Sequence, residues 1–302
     1  MDDSPGALPS LPEGNVGLAA RYPGDAGIER DPAVVFHADF EEYESGADAA
    51  RQWSVIDHGA YLSVTEDPAL VHGGQKTLQW TMPQQEKPLS VEVAYYLPEP
   101  CDVLFLRFYT RYDEGFVVPQ TSVHNGAAIS ARYYPGGRAT PGQRADGRNK
   151  FLANYETDTT QRDAPPPGPL NIYLYPPEQR GNYGDHIFPT GTIKADTDVP
   201  HSFGPHFVPR PDFMPELGRW YCLEYMLQTN TPGRRDGRIA CWVDGRLIAD
   251  FANLRLRDIP ELKIDRIGLC CYIADNRLRA NRKWHDDVVA ATCYIGPRLD
   301  AG

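Results

Sequence analysis

Two short segments place titratable and hydrogen-bonding side chains at the two-residue spacing of a strand face. In Asn171-Ile172-Tyr173-Leu174-Tyr175, the members Asn171, Tyr173 and Tyr175 share one face and the aliphatics the other. In Leu104–Tyr112 the alternation puts Leu104, Leu106, Phe108 and Thr110 on a core face and Phe105, Arg107, Tyr109 and Arg111 opposite. Rings beside guanidinium groups are what a groove for an anionic sugar polymer needs. The rings stack on sugar faces and the planar forks pair with carboxylates. A solvated outer face would carry the same pattern, and two tyrosines at this spacing also suit plain sheet packing. In Val123-His124-Asn125-Gly126, His124 could serve as a base and Asn125 as a charge-neutralising donor.

The basic character continues through Arg132, Arg138, Arg144, Arg148 and Lys150, opposed only by Asp146, in a chain of net charge −11. A cleft of one sign concentrates substrate of the other. The stretch from Gln179 to His186 is too rich in glycine and hydrogen-bonding groups for a core, so Tyr183 and His186 belong to a surface or a site. Along Arg219–Asn230, Glu224, Gln228 and Asn230 share a face with Trp220, Cys222 and Met226, the pattern of a lined groove. Finally, Asp39-Phe40-Glu41 and Trp284-His285-Asp286-Asp287 offer hard oxygen ligands that suit a structural Ca²⁺ or stand as surface carboxylates.

The elements that must position these groups are strands. The 302 residues include 27 Gly, 28 Pro and 17 Tyr, and short apolar or alternating runs are bounded by Gly, Pro, Asn and Asp. Strands are expected over 34–41, 60–65, 76–82, 90–97, 103–112, 170–175, 219–230, 238–244, 246–251, 264–273 and 286–295, with a hairpin at Asp244-Gly245. Residues 1–33 read as a loose arm on the domain surface, 34–297 as one β domain and 298–302 as a tail. Long loops between 113 and 218 are expected to be functional. The acidic balance argues against nucleic acid or an anionic membrane as partner. No apolar run approaches the roughly 20 residues of a membrane span. Six cysteines without a CxxC pair read as buried thiols, or as one or two disulfides in an exported protein. Nucleophile-elbow, zinc-protease, phosphate-loop and dinucleotide motifs are all absent.

The order Asp39-Phe40-Glu41, Gly73-Gly74-Gln75-Lys76-Thr77-Leu78, Leu104–Tyr112, Tyr173-Leu174-Tyr175, Gly218-Arg219-Trp220, Asp236-Gly237-Arg238, Trp242-Val243-Asp244-Gly245 and Trp284–Val289 resembles the concanavalin A-like jelly-roll proteins. Within these it is similar to polysaccharide lyases of families 14 and 20, the alginate and glucuronan lyases, over roughly 34–297. The resemblance implies a two-sheet antiparallel jelly roll with a concave groove and an enzyme acting on an acidic polysaccharide; the start of the chain, with no basic or apolar leader, reads as cytosolic or as the mature form of a secreted or periplasmic protein. It implies catalytic roles for Tyr173 and Tyr175, which match the family 14 Tyr-x-Tyr strand. The family 14 Gly-Gly-Lys-Leu-Pro-Gly lysine has no counterpart in His124-Asn125-Gly126-Ala127-Ala128, so His124 takes its place, as in family 20. It also implies a structural calcium near Glu41 and Asp286, and no organic cofactor.

The expected chemistry is β-elimination at a uronic acid. Arg107 or Arg111 with Asn125 would neutralise the uronate, His124 or Tyr173 would remove the C5 proton, and Tyr175 would protonate the leaving O4. Tyr109, Arg111, Arg132, Lys150, Tyr183, His186, Glu224 and Gln228 would line the groove. A glycoside hydrolase using Glu224 and Asp185, or a binding protein without catalysis, are the alternatives.

Overall fold

The computed structural model describes residues 9–160, 164–179, 181–194 and 202–300. The first strands are β1 (Val34–Ala38), β2 (Val55–Asp57), β3 (Leu62–Thr65), β4 (Thr77–Met82), β5 (Leu89–Cys101) and β6 (Val103–Tyr112). The middle of the chain supplies β7 (Val123–His124), β8 (Ala127–Ala131), β9 (Phe151–Thr157), β10 (Leu170–Leu174), β11 (Asp185–Ile187) and β12 (Ile193–Lys194). The last are β13 (Tyr221–Gln228), β14 (Gly237–Val243), β15 (Arg246–Leu254), β16 (Ile264–Ile273) and β17 (Asn281–Ala291).

They form two antiparallel sheets. Sheet one has the order β15-β14-β13-β6-β17-β4-β3, with β1 on β17; sheet two has the order β12-β11-β10-β9-β8-β16-β5-β2, with β7 on β16. This is the two-sheet jelly-roll sandwich expected from the strand pattern and the resemblance. The inner faces meet in one apolar core that includes Leu106, Phe108 and Leu223 from sheet one and Ile129, Ile172 and Leu269 from sheet two. Tyr225 ties the sheets together, its hydroxyl lying 3.0 and 3.1 Å from the Ala127 and Ala153 carbonyl oxygens. No helix among the described residues is long and apolar enough to cross a membrane.

The strands over 103–112 and 264–273 fall where alternation predicts them. The last strand does not: expected over 286–295, it runs Asn281–Ala291, because its polar first half belongs to the sheet. Lys283 and His285 face the core there, and the Lys283 ammonium donates to the Asn125 carbonyl. Strands β8 and β9 escape the pattern altogether. Ala127-Ala128-Ile129-Ser130-Ala131 has little β-propensity, and Asn154 and Glu156 break the apolar run of β9.

The arm is not loose. Leu18, Ala19 and Ile28 pack with Phe105, Met226, Ala240, Trp242 and Val289 on the outer face of sheet one. The Trp242 indole N–H donates to the Pro12 carbonyl at 2.8 Å, and Arg238 to that of Pro9 at 3.0 Å. Gly14, Leu18 and Ala19 donate backbone bonds of 2.7–3.0 Å to Gly245, Tyr294 and Ile295. The outer face of sheet one is therefore covered by the arm around β6, β13, β14 and β17. The outermost arm and tail residues, 1–8 and 301–302, lie outside the described residues. All six cysteines are unpaired.

Candidate active site

The sequence candidates divide between the two sheets, and only sheet two gathers its share into a site. Antiparallel register sets His186, Tyr173, Asn154 and Ala128 side by side across β11, β10, β9 and β8. On the same face Asn171 lies opposite Glu156, and β7 brings His124 opposite Tyr272 of β16. His124 ends up over the middle of this row. Its Nδ1 is 2.8 Å from Glu156 Oε1, and its ring centroid is 4.5 Å from that of Tyr173 and 5.7 Å from that of Tyr272. Its side chain keeps 22% exposure while that of Glu156 has none, so the imidazole is the accessible member of the pair.

Burial alone would lower the basicity of His124, but the Glu156 charge and hydrogen bond outweigh it and raise the pKa above the ordinary histidine value. Burial raises the Glu156 carboxyl as well, opposed by His124. With Nδ1–H donated to Glu156, Nε2 is left as the free lone pair.

The Asn171 amide donates to the Glu156 carbonyl at 3.2 Å, which turns its oxygen toward His186 Nδ1 at 2.9 Å. His186 must then carry its proton on Nδ1. Burial lowers its pKa to about 4, despite Asp158, and keeps it neutral. The Tyr173 ring lies between the two histidines, 4.7 Å from His186. Its hydroxyl accepts the Gly184 N–H at 3.1 Å and donates to the Tyr175 hydroxyl at 3.2 Å. Burial pushes the Tyr173 phenol well above 10, so it holds its proton at neutral pH. Tyr175 has no exposed surface, whereas Tyr173 has 6%. Tyr173 is therefore the more accessible of the two phenols, with Tyr175 behind it.

Lys150, the residue before β9, places its ammonium 4.6 and 5.0 Å from the Tyr133 and Tyr175 ring centroids. Arg132 and Lys150 both line a cavity of about 770 Å³ next to this face. Tyr183 is exposed on the turn before β11.

The remaining candidates are elsewhere. Arg107 has no exposed surface and is paired with Asp25 of the arm, so it meets no substrate; a face that reads as solvated or sugar-binding is instead covered by the chain itself. Tyr109, beside it, accepts the Arg298 N–H at 2.9 Å and stacks on His72 at 3.6 Å. Arg111 lies on this face too, 3.9 Å from Glu114. Glu224 accepts the Ile295 and Gly296 N–H groups, each at 2.8 Å, and burial brings its carboxyl up to about 7. Gln228 reaches only the Asp236 carbonyl, at 3.4 Å. Asp185 is on sheet two, so the Glu224–Asp185 pair required by a hydrolase does not form.

Asn125 follows His124 but points the other way, as alternation demands. Its oxygen accepts the Tyr112 hydroxyl and the Thr157 N–H, both at 3.1 Å, inside the sandwich. Glu41 and Asp286 anchor the turn between β3 and β4. Glu41 accepts the Gln75 and Lys76 N–H groups at 2.9–3.1 Å, and Asp286 those of His72, Gly73 and Asp287 at 2.9–3.2 Å. Gly74, at φ +68°, lets the turn wrap this closely, since a Cβ there would lie 2.2 Å from Glu41. Among the described residues no three His, Cys, Asp or Glu side chains are grouped to hold a metal by side chains alone.

Sequence reasoning singled out neither Glu156 nor Asn154, because the strand that carries them was not foreseen. The Asn-x-Glu spacing of Asn154 and Glu156 is the signal that could have found them.

No protein-family model and no curated protein matches the sequence. Solved structures do match. Alginate lyase Aly36B in complex with alginate tetrasaccharide is 15% identical, with a TM-score of 0.57, over 88% of this chain and 98% of that one. The marine PL-14 alginate lyase from Aplysia kurodai is 12% identical, TM-score 0.56, over 86% and 99%. Alginate lyase vAL-1 from Chlorella virus is 13% identical, TM-score 0.54, over 86% and 99%. At these identities the likeness is one of architecture: the chain has the two-sheet jelly-roll fold of these polysaccharide lyases.

Proposed function

We propose that the protein is a polysaccharide lyase that cleaves a uronic-acid-containing polymer by β-elimination. The observation that carries this reading is the His124–Glu156 pair at 2.8 Å beside Tyr173, in which the His124 side chain keeps 22% exposure. Glu156 fixes the tautomer and orientation of His124 and stabilises the imidazolium that forms, so Nε2 takes the proton from C5 of the sugar. Tyr173 gives its proton to O4 as the C4–O4 bond breaks. The Gly184 N–H and the Tyr175 hydroxyl then surround the phenolate oxygen. The uronate carboxylate needs a donor to make C5–H acidic. Asn154 has only a long 3.4 Å bond to Glu156 and is the amide that β9 presents beside the pair. The shared fold of the alginate lyases supports the same substrate class.

The test is ultraviolet absorbance during incubation with alginate, glucuronan, pectate and glycosaminoglycans, run beside a reducing-end assay on neutral glucans. Rising absorbance on an acidic polymer, from the unsaturated uronate, is the expected result. New reducing ends without absorbance, or silence in both assays, would overturn it.

A further inference from the structure

The cavity next to the site has a character of its own. Its wall includes Tyr96, Arg132, Tyr134, Lys150, Asp265 and Arg266, three cations against one carboxylate, and that carboxylate is engaged by the Arg132 backbone N–H at 3.0 Å. Arg266 is paired with Glu92 at 3.0 Å, yet its Nε and Nη1 are buried without a hydrogen-bond partner. The Tyr134 ring lies over the guanidinium at 3.4 Å and faces the cavity. Lys150 is 3% exposed, and its ammonium donates only to the Thr140 carbonyl and hydroxyl, at 2.6 and 2.7 Å. Burial lowers its pKa to about 8 with no carboxylate to oppose the effect. A buried ammonium without a counter-ion, at the edge of an open volume, is the arrangement an incoming anion completes. Contact is continuous from here to the site, through Tyr175 to Tyr173 at 5.4 Å and on to His124.

We propose that this cavity is a carboxylate subsite of the groove, in which Lys150 pairs with the carboxylate of a uronate other than the one being cut and the Tyr134 ring stacks on its sugar face. The proposal rests on the acidic-polysaccharide reading of the site. It adds that affinity for the polymer depends on a charge recognised away from the chemistry, so the preferred substrates are chains carrying uronates on more than one sugar.

Titration calorimetry tests it apart from catalysis. Size-defined alginate and glucuronan oligosaccharides, with neutral cello-oligosaccharides as control, are titrated into His124→Ala protein, which cannot consume them. Adding Lys150→Met is expected to weaken acidic-ligand binding at least tenfold, with the neutral control unchanged. Unchanged affinity in a folded Lys150→Met protein overturns the proposal. Should that variant fail to fold, Tyr134→Ala and Arg132→Ala take its place: weaker binding in both supports the subsite, and no change in either overturns it. Binding that depends on Lys150, in a protein that releases no unsaturated product from any acidic polymer, would remove the lyase reading and keep the subsite. Turnover unaffected by Lys150→Met, with binding unaffected too, would do the reverse.

Discussion

As sequence patterns, β6 and β10 are near equivalents, each alternating aliphatic residues with tyrosine and polar groups, and the fold gives them opposite fates. The polar face of β6 lies under the arm, where Arg107 meets Asp25, Glu224 holds the backbone of Ile295 and Gly296, and Trp242 anchors Pro12. The polar face of β10 carries the ring cluster, where Tyr173 lies between His124 and His186. A strand face rich in Arg, Tyr and Glu is thus as well suited to receiving the protein's own chain as to receiving a sugar. The difference lies in whether the charges already have partners. On sheet one the two terminal nitrogens of Arg107 are taken up by Asp25 and by the carbonyls of Asp287 and Gly296. On sheet two the His124 side chain keeps 22% exposure, and among the described residues no carboxylate pairs with Lys150.

Substitutions can break or sharpen this contrast. The largest effect is expected from His124→Ala, which should lower the elimination rate by about 10²–10⁴-fold, the usual worth of a general base. Initial rates of absorbance increase measure it, with circular dichroism confirming the fold; a variant as active as wild type removes His124 from the chemistry. Next comes Arg107→Ala, which leaves Asp25 buried and unpaired and should cost about 3–5 kcal/mol in urea unfolding. The specific activity of the protein that remains folded should not change. A loss of activity at unaltered stability would put the β6 face back in the groove.

Glu156→Gln sharpens the contrast through pH. Glu156 stabilises the charged imidazole in the fold, so this pair contributes stability below the unfolded histidine pKa of about 6.5 and loses it as pH rises through the raised folded value. Catalysis needs the neutral base, so the wild-type rate should climb with pH through that same raised value. In Glu156→Gln burial is opposed only by the weaker pull of Asp158, and the midpoint should move to lower pH with a smaller maximal rate. A pH–rate profile with an unmoved midpoint would detach Glu156 from His124.

Lys150 gives a subtler signature. Its folded pKa of about 8 lies below the unfolded value of about 10.4, so the unfolded chain binds more protons between them. Wild-type stability should therefore rise with pH over that window, and Lys150→Met should make the rise shallower. The buried Lys283, also lowered to about 8, retains a slope of the same sign in the variant. The smallest effect is expected from Trp242→Phe, which deletes one buried bond to the arm. It should cost about 1 kcal/mol and speed proteolysis within residues 9–31. An unchanged digestion pattern would mean that other contacts hold the arm.

Much of the architecture was legible because it depends on local alternation: β6, β10, β14 and β16 sit where a period of two and the Asp244-Gly245 hairpin place them. The strands that were missed fail for a local reason. Small residues in β8 and polar ones in β9 form strands only because neighbours on both sides supply ladder bonds and cover. The same holds for Asn281–His285, whose lysine and histidine enter the core because β4 and β6 flank them.

By itself the sequence determined the strand faces, the class of fold, and the sharing of one face by Asn171, Tyr173 and Tyr175, since each of these follows from residue type and parity within one segment. Only the tertiary structure decided which faces the arm covers. It paired His124 with Glu156, 32 residues away, buried Arg107 against Asp25 from 82 residues away, and turned Asn125 inward beside the histidine it was expected to assist. The physical reason is that a charge has no role until its partner is known, and here every deciding partner comes from a distant strand or from the arm.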